Sequence, residues 1–400
     1  MQDKVYSLAN QGVASMFSFA LIVVSTQLLS PEDFGFLSLV ILVNLLVSVI
    51  PQSFIFMPIM SSAQKNEHHS KYFFNNFLIL SICLIVVSLL LWLAFLFNIF
   101  DVNKYVNYYS IIFYFISFHV YEFTKKIMYV KNLHRKVTII EIMKFAVVFI
   151  LMTTVFSEAD INMILIIASI GYICFIIFSY KNLCFTGFDL KYITQLVRKN
   201  YIFGVWIFLA NTIQNINTNF YIYVSALLLP LEIIGVLNVV RSFIGISTVF
   251  FLAMDNYLTP KYAIMYAKKD VRSLNISAIR AYRKAGFPLL IVYILVGFFS
   301  ENILNIVYGE YYAQYSSYVY LFLIANIFMY LTRPILMLAK TIGATRLIFN
   351  ASLPPLIAVI GAGYIIIQEY QVNGALFIML ITQLVSLISL LYFYRRIIVV

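Results

Sequence analysis

The sequence is short of nearly everything a water-soluble protein depends on. Only 11% of its 400 residues are charged, where an average soluble domain carries roughly 25%. At 63% hydrophobic residues, a globule of this length could not hide its apolar surface, because the buried fraction rises only slowly with size. Mean hydropathy is +0.94. Lipid must therefore cover the outside of the fold. Cysteine is scarce too. Cys83 and Cys174 sit in apolar runs and Cys184 beside a loop, with no metal-like spacing and no disulfide framework. There is no GxxxxGK[ST] phosphate loop, no HExxH and no glycine-rich dinucleotide fingerprint. No catalytic group, cofactor or metal is expected, and no nucleotide-hydrolysing engine. The first apolar run is followed by Ser30-Pro31-Glu32-Asp33 rather than by a small-residue cleavage site, so the first helix is expected to be retained.

What is present is a series of apolar runs. A membrane helix needs roughly 20 mostly apolar residues. Twelve segments qualify: 5–29, 33–60, 75–100, 105–128, 137–157, 160–180, 200–225, 231–257, 282–300, 312–338, 345–367 and 372–394. Pro51 and Pro58 should kink the second.

Charge tests this count independently. The net charge is +11, which in a soluble chain would suggest nucleic acid, but here position matters more than the sum. With both termini cytoplasmic, one set of connections holds Lys65, Lys71, Lys125, Lys126, Lys131, Arg135, Lys136, Lys181, Lys191, Arg198 and Lys199, and later Lys261 to Lys284, Lys340, Arg346, Arg395 and Arg396. The opposite set holds a single base, Lys104, and nine acids: Glu32, Asp33, Asp101, Glu158, Asp160, Glu232, Glu301, Glu310 and Glu369. This is the positive-inside pattern, kept at every loop. A wrong span would have scrambled everything after it. All the external loops are too short to hold a folded domain.

The chain also looks duplicated. A shift of 200 residues lays Leu28-Leu29-Ser30-Pro31-Glu32-Asp33-Phe34-Gly35 on Leu228-Leu229-Pro230-Leu231-Glu232-Ile233-Ile234-Gly235. A shift of about 208 lays Thr124-Lys125 on Thr332-Arg333. The expected fold is an all-α membrane bundle of about twelve helices, in two parallel six-helix halves (1–190 and 191–400) around a central cavity.

Polar groups inside spans usually face protein or water. The seventh span carries Asn211, Thr212, Gln214, Asn215, Asn217, Thr218 and Asn219, with 211, 215 and 219 on one face and 214 and 218 beside it. The first span matches it with Asn10, Gln11, Ser15 and Ser18. Amides can simply cross-link helices, but so many together point to a wet cavity. Arg241 lies ten residues into the eighth span, about 15 Å deep at 1.5 Å per residue, with Asn238 three residues earlier on the same face. A structural ion pair with Asp255 or Glu122 is one reading. The other is a site for an anionic cargo group, which a guanidinium grips with a bidentate fork.

Glu122 with Lys126 and Glu141 with Lys144 have pairing spacings. Lys144 and Arg333 could make an inward vestibule basic. Asp255 and Glu122 are the candidate carboxylates for a coupling ion. Tyrosines 105, 108, 109, 311, 312, 315 and 318 read as an interfacial belt, with sugar stacking as the alternative.

The stretch Gln27-Leu28-Leu29-Ser30-Pro31-Glu32-Asp33-Phe34-Gly35-Phe36-Leu37-Ser38 resembles the start of the Wzx-type O-antigen and polysaccharide flippases, in the multidrug/oligosaccharidyl-lipid/polysaccharide (MOP) exporter superfamily. Val307-Tyr308-Gly309-Glu310-Tyr311-Tyr312 and Val372-Asn373-Gly374-Ala375 are similar to segments of those proteins, in the same order. The resemblance implies movement of an undecaprenyl-pyrophosphate-linked oligosaccharide to the periplasmic leaflet of the bacterial inner membrane. It also implies work beside a polysaccharide polymerase and a chain-length regulator in O-antigen or lipopolysaccharide assembly. A cation exporter of the same superfamily would favour acids in its first helices, yet none occurs in 5–31 or 34–60. A polymerase would need a substantial external loop.

Overall fold

The computed structural model describes residues 2–62, 69–97, 104–154, 159–183, 189–267, 271–341 and 344–398. Among them all regular structure is helical: α1 Gln2–Leu28, α2 Pro31–Pro51, a π-helical turn Gln52–Phe56, α3 Met57–Ser62, α4 His69–Leu96, α5 Tyr108–Val130, α6 His134–Thr154, α7 Ile161–Ser179, α8 Leu190–Leu228, α9 Leu231–Ala267, α10 Val271–Phe298, α11 Ser300–Tyr308, α12 Glu310–Ala313, α13 Ser316–Thr341 and α14 Thr345–Ile398.

Local chemistry explains the boundaries. Ser30 caps α2, its hydroxyl oxygen accepting from the Asp33 N–H at 3.1 Å, with Pro31 in the first helical position and Glu32 and Asp33 facing the positive end of the helix dipole. Asp160 caps α7 through the Met163 N–H at 2.7 Å. The α1–α2 turn and the α8–α9 turn fall at the same place under the 200-residue shift: Leu28 and Leu228 end the first helix, and Pro31 and Leu231 begin the second. The prolines expected to bend the second span bracket the π-helical turn, where the ladder changes register. Inside the spans, Ser48, Ser81, Thr124, Ser169 and Thr382 return their hydroxyl protons to carbonyls four residues back, which satisfies them without water.

The surface confirms the solvent. Ile82, Ile85 and Leu90 on α4, and Ile357 and Ile365 on α14, are exposed large aliphatics, which a water-soluble monomer would not tolerate as continuous bands. Eight segments of the described residues are long and apolar enough to cross a membrane. The fourth and seventh expected spans, in α5 and α8, are missing from that set. α5 is diluted by tyrosines, His119 and charges, and α8 by its amides. α9 is missing as well, and many of its side chains lie outside the described residues. The segment Arg346–Arg395 is 50 residues long, about 75 Å at helical rise, far beyond a hydrocarbon core of roughly 30 Å. Within it Gln371 leaves helical geometry at φ 50°, ψ −126°, between the last two expected spans. The expected loop after the eighth span is mostly helix, because α9 runs to Ala267 and α10 starts at Val271.

The chain divides into two compact units, Met1–Thr212 and Ile213–Val400, so that α8 contributes to both. In the first, α5, α6 and α7 pack on one another and α1 on α6. A core of Ile55, Phe56, Ile59, Tyr72, Phe73, Phe123 and Ile127 lies beneath α2, and Leu196 of α8 joins it. In the second, α13 is the hub, with α9, α10 and α14 packed around it.

The Gln371 turn yields a test. A backbone at φ 50° is strained for any side chain except where glycine stands. Gln371→Gly should leave unchanged or raise the thermal midpoint of the detergent-purified protein. Gln371→Ile should lower it by several degrees, corresponding to about 1–3 kcal/mol.

Candidate functional site

The N-terminal unit encloses an ion cluster. Glu141, on the second turn of α6, is fully buried. Its carboxylate lies 2.9 Å from Lys125 Nζ of α5 and 2.6 Å from Lys144 Nζ one turn along α6, and it accepts a hydrogen bond from the Tyr121 hydroxyl. Tyr121 in turn accepts from Lys125 at 2.9 Å and from Lys144 at 3.3 Å. Lys144, only 2% exposed, faces three rings, with Phe17 at 4.3 Å, Tyr121 at 4.4 Å and Tyr172 at 5.5 Å. A cation over several aromatic faces in a dry setting is held by the ring quadrupoles. Tyr121 stacks on Tyr172 at 4.9 Å, and Tyr172 reaches Tyr114 at 6.1 Å. The polar column so formed runs along α5. His119, on the same helix, is fully buried, and neither ring nitrogen has a hydrogen-bond partner among the described residues.

Glu122 and Lys126 pair at 3.6 Å as their spacing suggests. Three lysines therefore share two glutamates in this region. The pairing of Glu141 with Lys144 was legible from the sequence, but the second lysine was not. Lys125 arrives from a neighbouring helix, and only packing brings it there. Lys144, expected in an open vestibule, is enclosed.

The C-terminal unit holds a cleft of about 60 Å³ lined by Arg241, Thr218, Tyr221, Phe322, Ala325, Asn326, Met329, Met379 and Gln383. Arg241 comes from α9, Thr218 and Tyr221 from α8, Asn326 from α13 and Gln383 from α14. Among the described residues no carboxylate lies within 4.0 Å of the Arg241 guanidinium. Asp255 stands fourteen positions further along α9, about 21 Å by helical rise, and its side chain lies outside the described residues. Glu122 is engaged by Lys126. The volume has room for a few waters, and Asn326 and Gln383 supply polar partners for them.

The other expected residues separate into two groups. Asn211, half-buried, donates to Ser53 Oγ at 3.2 Å. Asn217 donates to the Ser352 carbonyl at 2.9 Å. Asn215 accepts from the Tyr223 hydroxyl at 2.7 Å, and Asn219 donates to the Asn215 carbonyl at 3.1 Å. These amides tie helices and turns together. Gln214 remains exposed, and Thr218 lines the cleft. Asn238 is half-buried one turn before Arg241 and is not part of the lining. In α1, Gln11 is exposed and Ser15 half-buried. Arg333 lays its guanidinium over Phe251 at 5.0 Å. Asn326 and Gln383 had no signal beyond being lone amides in apolar runs.

The shared acceptor makes an asymmetric prediction. Removing Glu141 strands two buried lysines, whereas removing Lys144 leaves Glu141 still paired with Lys125. Glu141→Leu should cost about 3–5 kcal/mol and lose most folded protein in size-exclusion profiles. Lys144→Met should be clearly milder. Equal losses would contradict the shared acceptor.

A sequence family described as polysaccharide biosynthesis protein matches residues 24–317. No curated protein matches the chain by sequence. Solved structures match it along almost its whole length at low identity. The lipid II flippase MurJ, in an inward closed conformation, superposes with a TM-score of 0.72 at 13% identity, covering 97% of this chain and 87% of that one. An inward-facing multidrug resistance MATE family transporter of the MOP superfamily gives 0.70 at 12%, covering 99% and 95%. A MOP superfamily transporter from Pyrococcus furiosus gives 0.62 at 13%, covering 98% and 94%. At these identities the likeness is one of fold. The chain thus has the fold of MOP-superfamily membrane transporters and belongs to the polysaccharide biosynthesis protein family.

Proposed function

We propose that this protein is a flippase that carries an undecaprenyl-pyrophosphate-linked oligosaccharide, an O-antigen or similar repeat unit, from the cytoplasmic to the periplasmic leaflet of the bacterial inner membrane. The observation that carries this reading is Arg241, a guanidinium of α9 that opens on a mainly apolar cleft holding a few polar side chains and has no carboxylate partner among the described residues. An unpaired cation at that depth is expensive. Cargo with a fixed double-phosphate charge supplies the missing counter-ion, and a guanidinium meets it with two parallel hydrogen bonds. Thr218, Asn326 and Gln383 would then contact phosphate or sugar hydroxyls, with Gln214, Asn215 and Asn219 at the margin.

The proposed cycle is alternating access. A cleft of about 60 Å³ is smaller than a sugar ring, so loading requires it to widen. The layout we propose is twelve crossings in two six-helix halves, with α14 counted as two crossings divided at Gln371 and α5, α8 and α9 each as one. Both termini would be cytoplasmic, and a polysaccharide polymerase and a chain-length regulator would act on the delivered unit. For coupling, Asp255 and Glu122 are joined by Glu141, whose carboxylate is fully buried.

A multidrug or cation antiporter is the second reading, favoured by the fold shared with multidrug transporters. The absence of acids from 5–31 and 34–60 and the lysine-rich interior of the N-terminal unit argue against it. An enzyme of the polymerase kind is disfavoured by the short external loops.

Arg241→Ala should insert normally and reduce restoration of surface polysaccharide in a depleted strain at least tenfold. Arg241→Lys, which keeps the charge and loses the fork, should retain part of it. Wild-type polysaccharide from the alanine variant would remove Arg241 from the cargo path.

A further inference from the structure

On the first half of α8, Asn200, Gly204, Phe208 and Asn211 are spaced to share a helix face and form a narrow stripe. It rests on the π-helical turn at Gln52–Phe56. Gly204 allows the approach, since a Cβ there would lie 2.7 Å from the Ser53 carbonyl oxygen and 2.7 Å from Phe54 Cδ1. Asn211 donates to Ser53 Oγ at 3.2 Å. Phe54 stacks on Tyr201 at 6.1 Å and leans on Phe208 at 5.4 Å. Asn200 donates to Asn76 Oδ1 of α4 at 2.9 Å, with both amides buried. Below the stripe, Leu196 is anchored in the apolar core, and Lys71 meets Asp189 at 2.8 Å, holding that carboxyl below the usual carboxylate range.

We propose that this stripe is a releasable latch: residues 200–211 of α8 part from the π-helical turn of α2 during the transport cycle, pivoting on the Leu196 anchor. The proposal rests on the alternating-access reading above. Three features distinguish a latch from a permanent joint. Two of its ties are hydrogen bonds donated by side-chain amides, Asn211 to Ser53 and Asn200 to Asn76, which water can replace group for group. Its apolar part is centred on a single ring, Phe54. On the far side of the helix Ile202 is 63% and Trp206 70% exposed. Both partners also carry a point of weakness. α2 has its π-helical turn between Pro51 and Pro58, the kind of ladder defect where helices bend. α8 has a glycine in its interior. Beyond Thr212 the same helix belongs to the other unit, where Asn217 ties it to Ser352.

The test uses the full chain with Cys83, Cys174 and Cys184 replaced by alanine. In membranes, Ser53→Cys alone should react with an impermeant maleimide slowly, at the rate at which the latch opens. Adding Gly204→Ala, which pushes on the Ser53 carbonyl, should speed that reaction severalfold. Complete protection of Ser53→Cys in both chains would overturn the latch whatever the cargo is. In cells, Ser53→Cys with Asn211→Cys, joined by a short bis-methanethiosulfonate linker, should lose polysaccharide restoration at least tenfold and regain it on reduction. A linked chain that works at the unlinked rate would overturn the latch and leave the flippase reading intact. Accelerated maleimide labelling with no polysaccharide phenotype in any strain would support the latch and contradict the flippase.

Discussion

A charge in hydrocarbon has to find a counter-charge, an aromatic face or water, and this protein uses each solution in a different place. Glu141 is the counter-charge. It sits fully buried between two lysines, and the second of these is enclosed by Phe17, Tyr121 and Tyr172. That arrangement fastens α5 to α6 and brings α1 and α7 against them, so the N-terminal unit is organised around its most expensive group. Breaking such a pair is far more costly than forming it is rewarding, which fits a structural role. Arg241 has the third solution. It opens on a cleft with two amides and two hydroxyls, and no carboxylate lies within 4.0 Å of it among the described residues. The same physical cost that makes Glu141 a fastener is the ground on which an anion is proposed as the partner of Arg241.

Membrane class was legible because it rests on sums. Composition, run length and the sorting of lysine and arginine away from aspartate and glutamate are additive signals, and errors in single residues do not upset them. Turn chemistry was legible because it is local: Ser30-Pro31-Glu32-Asp33 contains the cap, the first-position proline and the dipole-matched acids of α2. The kink between Pro51 and Pro58 follows from the proline ring, although its form as a π-helical turn does not.

What the sequence left open depends on which helix lies beside which. Lys125 and Glu141 are sixteen residues apart on different helices, and nothing in their spacing pairs them. The amides of α8 have similar neighbours in sequence and different fates in space: Asn211 binds the π-helical turn after α2, Asn217 binds α14, and Gln214 stays open. The wet face and the cross-linking face of that helix interleave, so a one-dimensional pattern reads as a single stripe. α8 also serves both units, which no break in composition announces.

The chain belongs to the polysaccharide biosynthesis protein family and has the fold of MOP-superfamily transporters, and the reading proposed above gives Arg241 an anionic cargo. The measurement that tests this most directly is conditional depletion in the native bacterium, followed by extraction of lipid-linked oligosaccharides and blotting of surface polysaccharide. The account predicts that complete repeat units accumulate on undecaprenyl pyrophosphate, inaccessible from the periplasm, while surface polymer disappears. Single units that still reach the periplasm without lengthening would contradict it and indicate a polymerase. Unchanged polysaccharide with raised drug sensitivity would contradict it in favour of a cation exporter.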